Sequence, residues 1–234
     1  MSYAASWETV EASRKSRDLV GLNAEQKQLL GDVKSAGNKA AGAFKASCPS
    51  ENAFPLTPPG RLGAMTARLD ATLDVVQTVR PALEKFYDSL SDEQKERFNA
   101  IGPKQLKDTA TGSVASADEG KSCKEQKPGL TNLPIERIED AVKPSDAQAE
   151  DLNRLEEATD KAVSIMQAAC PDQTPLTPPG RLEAMETRLT AMIEAANTVK
   201  PALGSFYGSL NAEQKARFNR IGRDLAQTSG QSNQ

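Results

Sequence analysis

The chain has 234 residues, room for one large domain or two small ones. Hydrophobic residues make up 38% and aromatic residues only 4%, and a chain so poor in rings yet rich in Ala, Leu, Glu, Lys and Arg reads as helical. Histidine is absent, which excludes Ser-His-Asp, Cys-His and His-based zinc chemistry; the net charge of −3 gives no basic excess for nucleic acid, and no apolar run nears the roughly 18 residues that cross a membrane.

The opening MSYAASWETVEASRKSRD lacks the apolar core of roughly 7–15 residues that a signal peptide needs. A cytoplasmic chain, a mature form without its leader and a late start codon all fit. A short helix is expected over 6–18. Leu22-Asn23-Ala24-Glu25-Gln26 then reads as a capping box that opens a helix over 23–46. Asn23 accepts from the third helical N–H, Gln26 reaches back to the N–H of the cap, and Leu22 anchors the corner. Glu25 in the first turn favours the helix dipole.

After a Cys48-Pro49 loop, Thr57 precedes Pro58-Pro59, an N-cap followed by proline where a missing N–H does no harm. Leu62, Met65, Leu69, Leu73, Val76, Val79, Leu83, Phe86 and Leu90 recur every three or four residues, one stripe along a helix over 58–89. Pro81 removes one hydrogen bond inside it, but the stripe stays in phase, which predicts a bend and not a break. Leu90-Ser91-Asp92-Glu93-Gln94 is a second capping box, opening a helix over 92–101. Asp92 and Glu93 are adjacent on a helix and do not face each other, so they make no acid–base pair.

Residues 103–131 are rich in Lys, Gly, Ser and Thr and read as a mobile linker carrying Cys123. The pattern then returns. Between 56–102 and 176–222, 29 of 47 positions are identical at an offset of 120. Leu182, Met185, Leu189, Ile193, Ala196, Val199, Leu203, Phe206 and Leu210 repeat the stripe. Thr177 and Pro201 repeat the cap and the inner proline, and Leu210-Asn211-Ala212-Glu213-Gln214 repeats the capping box. Helices are expected over 134–142, 145–169, 178–209 and 212–224. Two copies fall short of the three or more units of a solenoid. The predicted organisation is all-α: two similar small helical units over 1–102 and 132–224, each with a long kinked helix in an antiparallel hairpin, the linker 103–131, and a disordered tail over 225–234.

The segments Phe86–Asn99 and Phe206–Asn219, with the motif followed by Lys-x-x-Phe-Asn, resemble the closing segment of the LTxxQ-motif family. That family includes the Spy and CpxP periplasmic stress proteins of Gram-negative bacteria. The segment from Leu22 resembles the family's earlier copy of the motif. The resemblance implies an all-α fold, a periplasmic address and, for Spy-type members, chaperone action without ATP by dimers of curved hairpins with a concave client surface. Ser91 and Asn211 stand where the motif has Thr, a change that capping tolerates. The chain is also a tandem and slightly acidic, where Spy-type cradles are single units and basic.

The expected function is therefore an ATP-independent periplasmic chaperone for unfolded or stress-damaged envelope proteins. The alternative is an envelope scaffold or sensor-binding module with one defined partner. No enzyme activity, cofactor, metal, nucleic acid or membrane insertion is expected. Client-binding candidates are Arg61, Arg68 and Arg80, recurring as Arg181, Arg188 and Lys200, with Met65 and Met185 as adaptable apolar contacts. Against that reading, the methionines fill a core and the basic residues are solvated surface. A hairpin of under 100 residues buries little, so an intrachain pseudo-dimer is expected, with homo-oligomerisation left open.

Three cysteines are present: Cys48, Cys123 and Cys170. The two helices expected between Cys123 and Cys170 run out and back, which predicts a disulfide between them in an oxidising compartment, stabilising by roughly 4 kcal/mol in the chain-entropy model. The same spacing pairs Cys48 with position 1, a methionine. Either an upstream extension holds a leader and a fourth cysteine, the favoured reading, or Cys48 is a free thiol. Cys48–Cys170 is the rival bridge.

Overall fold

A computed structural model describes residues 21–47, 55–100, 135–171 and 175–231, with side chains described as far as Ile221. Among these residues there are seven helices and no strand. They are α1 (Ala24–Ala46), α2 (Pro58–Asp88), α3 (Asp92–Ala100), α4 (Ile135–Val142), α5 (Asp146–Ala168), α6 (Pro178–Ser209) and α7 (Ala212–Gln231). The helix expected over 6–18, the linker 103–131, Cys48 and Cys123 lie outside the described residues.

The long helices begin as their sequence dictates. The Thr57 hydroxyl accepts from the Gly60 N–H at 3.3 Å, and Thr177 does the same for Gly180 at 3.3 Å. Both helices run through their inner proline without interruption. Pro81 and Pro201 are exposed, and so are Gln77 and Asn197, whose carbonyls lose the i+4 partner, so water can replace the missing bond. At the end of α2 the turn tightens, with Ser89 N and Leu90 N donating three residues back at 3.2 Å. The Ser89 hydroxyl donates to Phe86 O at 2.7 Å, and in α6 the Ser209 hydroxyl to Phe206 O at 2.8 Å.

At the C-terminal end α7 continues to Gln231, past the expected end at 224 and into the expected tail. The polar stretch after 224 reads as a tail, but Leu225, Ala226 and Gln227 all tolerate a helix. Its two glycines, Gly222 and Gly230, cost only about 1 kcal/mol each relative to alanine.

Each repeat pairs its long helix antiparallel with the helix before it. The start of α1 meets the end of α2 through Gln26 and Ser89, and the start of α5 meets the end of α6 through Gln148 and Ser209. The compact units divide the chain differently from the repeats. Unit one comprises Met1–Ala46, Leu73–Gly120 and Pro171–Glu186; unit two comprises Ser47–Thr72, Lys121–Cys170 and Thr187–Gln234. Each unit thus takes chain from both repeats.

The core of unit one is built on buried Leu22, Phe86 and Leu90, with Leu30, Val33, Leu83 and Phe98 packed against them. That of unit two is larger. Ile138 and Val142 of α4 join Leu152, Leu155 and Met166 of α5 and Val199, Leu203 and Phe206 of α6. Leu62, from the first repeat, packs against this core. In both units a phenylalanine at the end of the long helix meets one from the next helix edge-on: Phe86–Phe98 at 5.5 Å and 78°, Phe206–Phe218 at 5.7 Å and 81°.

Candidate functional site

The capping boxes do more than start helices. In unit one, Gln26 Oε1 accepts from Asn23 N at 3.0 Å, while Asn23 Oδ1 accepts from Gln26 N at 2.8 Å. Gln94 and Ser91 form the second box at 2.9 and 3.3 Å. The two glutamine amides then pair with each other at 2.8 and 3.1 Å. The remaining N–H of Gln26 goes to Ser89 O at 2.7 Å, and that of Gln94 to Gly21 O at 3.0 Å. An amide has two donor hydrogens and two acceptor lone pairs. In both glutamines all four are used.

Unit two holds the same clasp. Asn211 and Gln214 cap α7 at 2.9 and 2.9 Å, and Ser145 N donates to Gln148 Oε1 at 3.0 Å. Gln148 and Gln214 pair at 2.9 and 3.1 Å. Gln148 also donates to Ser209 O at 2.8 Å, and Gln214 to the carbonyls of Lys143 and Val142 at 3.4 and 3.5 Å. Ser145 and Gln148 are an unanticipated fourth box. The signal for it was Ser-x-x-Gln at an offset of 122 from Asn23-x-x-Gln26, masked because Pro144 replaces the leading leucine.

The carbonyl that meets Gln94 or Gln214 comes from a left-handed residue, Gly21 (φ 66°) in one unit and Lys143 (φ 50°) in the other. Leu22, Leu90 and Leu210 are buried at the corners as expected. The residues after each motif fold back on the aromatic pair before it. Lys95 Nζ lies 5.6 Å from the Tyr87 ring centre and Lys215 Nζ 5.5 Å from Tyr207. Both tyrosine hydroxyls donate to an asparagine, Asn99 or Asn219, at 3.2 Å. The whole motif is therefore mechanical: it fastens helix ends and leaves its glutamine amides no capacity to bind a ligand.

The basic candidates divide into three environments. Arg61 and Arg181 fold back onto their own loops, where each donates to the carbonyl five residues before it (Leu56, Leu176) at 2.8 Å. Arg61 also donates to Asn219 O at 3.4 Å. Arg80 is held by Glu84 at 2.6 Å, Glu186 at 2.7 Å and Glu183 at 3.8 Å, and Gln77 completes the cluster by donating to Glu186 at 3.1 Å. These bonds raise the Arg80 pKa. Conversely the guanidinium, and then Gln77, hold the Glu186 carboxyl below the usual range. The Glu93 carboxyl is also held low, first by its own backbone N–H at the start of α3 and then by the Ser91 hydroxyl at 2.9 Å. Arg68, Arg188 and Lys200 are exposed; Met65 is half-buried and Met185 is exposed.

Two further apolar side chains stand out from the surface, Leu56 at 80% exposure and Leu176 at 79%. Cys170, just after α5, is disulfide-bonded. Cys48 and Cys123, the two partners the sequence offers it, lie outside the described residues. Among the described residues no group of three or more His, Cys, Asp or Glu could hold a metal ion.

The geometry accounts for both copies of the motif, and comparison with known proteins agrees. The model of the LTXXQ motif family protein matches residues 12–102 and 130–222. The chain belongs to the LTXXQ motif family. Its two matches coincide with the two repeats, so the tandem duplication is a duplication of the family's domain. Members are typically periplasmic, and membership supports a stress-related role in that compartment. No helix among the described residues is long and apolar enough to cross a membrane. No curated protein and no solved structure matches the chain.

Proposed function

We propose that this protein is an ATP-independent periplasmic chaperone that holds unfolded or stress-damaged envelope proteins and releases them without nucleotide. The observation that carries the reading is the match of both repeats to one family of the Spy and CpxP type. The clasps support it: the motif residues build a stable frame and leave binding to the surface between them. Of the basic and methionine candidates, Arg68, Arg188, Lys200 and Met185 are exposed to a client, with Arg80 reachable only at the expense of its carboxylates. The two repeats serve as an intrachain pseudo-dimer, a role that the Arg80–Glu186 pair between them favours.

The protein acts without a metal, a cofactor or catalysis. A disulfide at Cys170 suits an oxidising compartment, and Cys123 is its proposed partner. Peptide mapping under non-reducing conditions tests that pairing against Cys48–Cys170. The functional test is suppression of aggregation of several unrelated proteins without nucleotide, together with fractionation of the native gene product. Protection of several clients is expected. Tight binding of one envelope protein with no general protection would overturn the reading in favour of a scaffold or sensor-binding module.

A further inference from the structure

Pro55–Leu62 recurs as Pro175–Leu182 without a substitution, the longest unbroken identity between the repeats; no other run between 56–102 and 176–222 exceeds three residues. Most of its residues have a local task. Thr57 and Thr177 cap the long helices, and Arg61 and Arg181 clamp the carbonyls of Leu56 and Leu176. Gly60 allows a close approach: a β-carbon there would lie 2.7 Å from the Pro55 β-carbon and 2.9 Å from Thr57 Oγ1, closer than real β-carbons come. At Gly180 the corresponding distances are 3.2 Å to Pro175 and 3.0 Å to Thr177. The product is a stiff knuckle built twice. The leucine side chain at its tip packs on nothing that would explain its retention, being 80% exposed in one copy and 79% in the other.

We infer that Leu56 and Leu176, one in each unit, are each an apolar contact for an extended, apolar segment of an unfolded polypeptide; this rests on the chaperone reading and names where the client touches. Three observations select that occupant. A single leucine covers only a small fraction of the roughly 1,200–2,000 Å² that a stable protein–protein interface needs, which argues against a second copy of this chain. The chain's net charge of −3 and the engagement of Arg61 and Arg181 with backbone carbonyls leave the knuckles without the basic cluster that an anionic lipid surface would attract. An unfolded chain exposes many apolar side chains on a flexible backbone, so an extended segment can cover a single protruding leucine without a broad complementary surface. Because the proline, threonine and arginine contacts already fix the backbone, little is lost in ordering the leucine on binding.

The test uses the full chain, with leucine methyl groups isotope-labelled and reduced, carboxymethylated α-lactalbumin as a permanently unfolded probe. Affinities are measured for the wild type, Leu56→Ser, Leu176→Ser and the double variant. Both positions lie outside the helices, so unchanged circular dichroism is the control for folding. The expected result is broadening of the Leu56 and Leu176 methyl signals on adding probe, about tenfold weaker binding in each single variant and a larger loss in the double. Binding that persists unchanged in the double variant, with methyl shifts only elsewhere, would overturn the inference and leave the chaperone reading intact. Shifts of the two leucines with protein concentration alone, or with phosphatidylcholine vesicles but not with probe, would overturn it in favour of self-association or a lipid surface. Failure of the wild type to bind any unfolded probe would remove the chaperone reading and this inference together.

Discussion

Replacing Gln214 by alanine should destabilise the protein far more than an ordinary cap mutation. The side chain is buried, and its amide makes contacts to Asn211 N, Gln148 and the carbonyls of Lys143 and Val142. Asn211 is exposed, so water can satisfy its freed N–H at small cost. Val142 is completely buried, and a stranded carbonyl there costs about 1–3 kcal/mol. The two bonds shared with Gln148 contribute about 1 kcal/mol each. A loss of about 3–5 kcal/mol is expected, against about 1 kcal/mol for Asn211→Ala, which removes one capping bond. The assay is denaturant unfolding followed by far-UV circular dichroism. Because Gln148 and Gln214 share two bonds, their double variant should lose less than the sum of the single losses by about 2 kcal/mol. A Gln214→Ala cost no larger than that of Asn211→Ala, or strict additivity with Gln148→Ala, would refute the clasp as an energetic unit.

Lys143→Gly should stabilise unit two by about 1 kcal/mol in the same assay, since lysine at φ 50° bears a left-handed cost that glycine at Gly21 does not; a loss of stability would mean that the lysine side chain matters more than its backbone. Gly204→Ala, exposed in α6 with open space around it, should gain about 0.5–1 kcal/mol, whereas Gly60→Ala should lose stability by pushing on Pro55 and Thr57; equal effects would discount the knuckle. The Glu186 carboxyl is depressed by Arg80, so its contribution is fully present above the ordinary glutamate value of about 4.3 and is lost as pH falls through its lower folded pKa. The stability gap between wild type and Glu186→Gln should accordingly close on acidification and narrow in high salt, and a gap independent of both would exclude the ion pair as its source.

The secondary structure was legible because its signals are local. Asn23, Thr57, Ser91, Thr177 and Asn211 each announce a helix within four residues, and the described helices follow the expected ranges closely up to α7. The clasp was only half legible. Each capping box is a short motif, but the pairing of Gln26 with Gln94 joins residues brought together by folding the hairpin, and no local pattern encodes it. Arg80 illustrates the same limit. Its spacing from Glu84 is visible on one helix, whereas Glu186 lies in the other repeat and has Thr66, not an acid, as its counterpart. Arg61 and Arg181 looked like surface charges because nothing in composition reveals a guanidinium that turns back to a carbonyl in the preceding loop. Repeat boundaries and compact units also diverge, since identity at a fixed offset records duplication while contacts record which segments pack.

Fusion of two copies has a consequence for how this protein could diverge. In an assembly of identical separate chains, one gene specifies both copies of every contact, so a substitution that helps one copy and harms the other gains nothing. Here the counterparts of Arg80 and Glu186 are Lys200 and Thr66, and both fall in unit two. The fused gene therefore holds two independent spellings of one structural position, one ionic and one not. Each unit can acquire its own sensitivity to acidity and salt while the clasps at Gln26–Gln94 and Gln148–Gln214 stay the same.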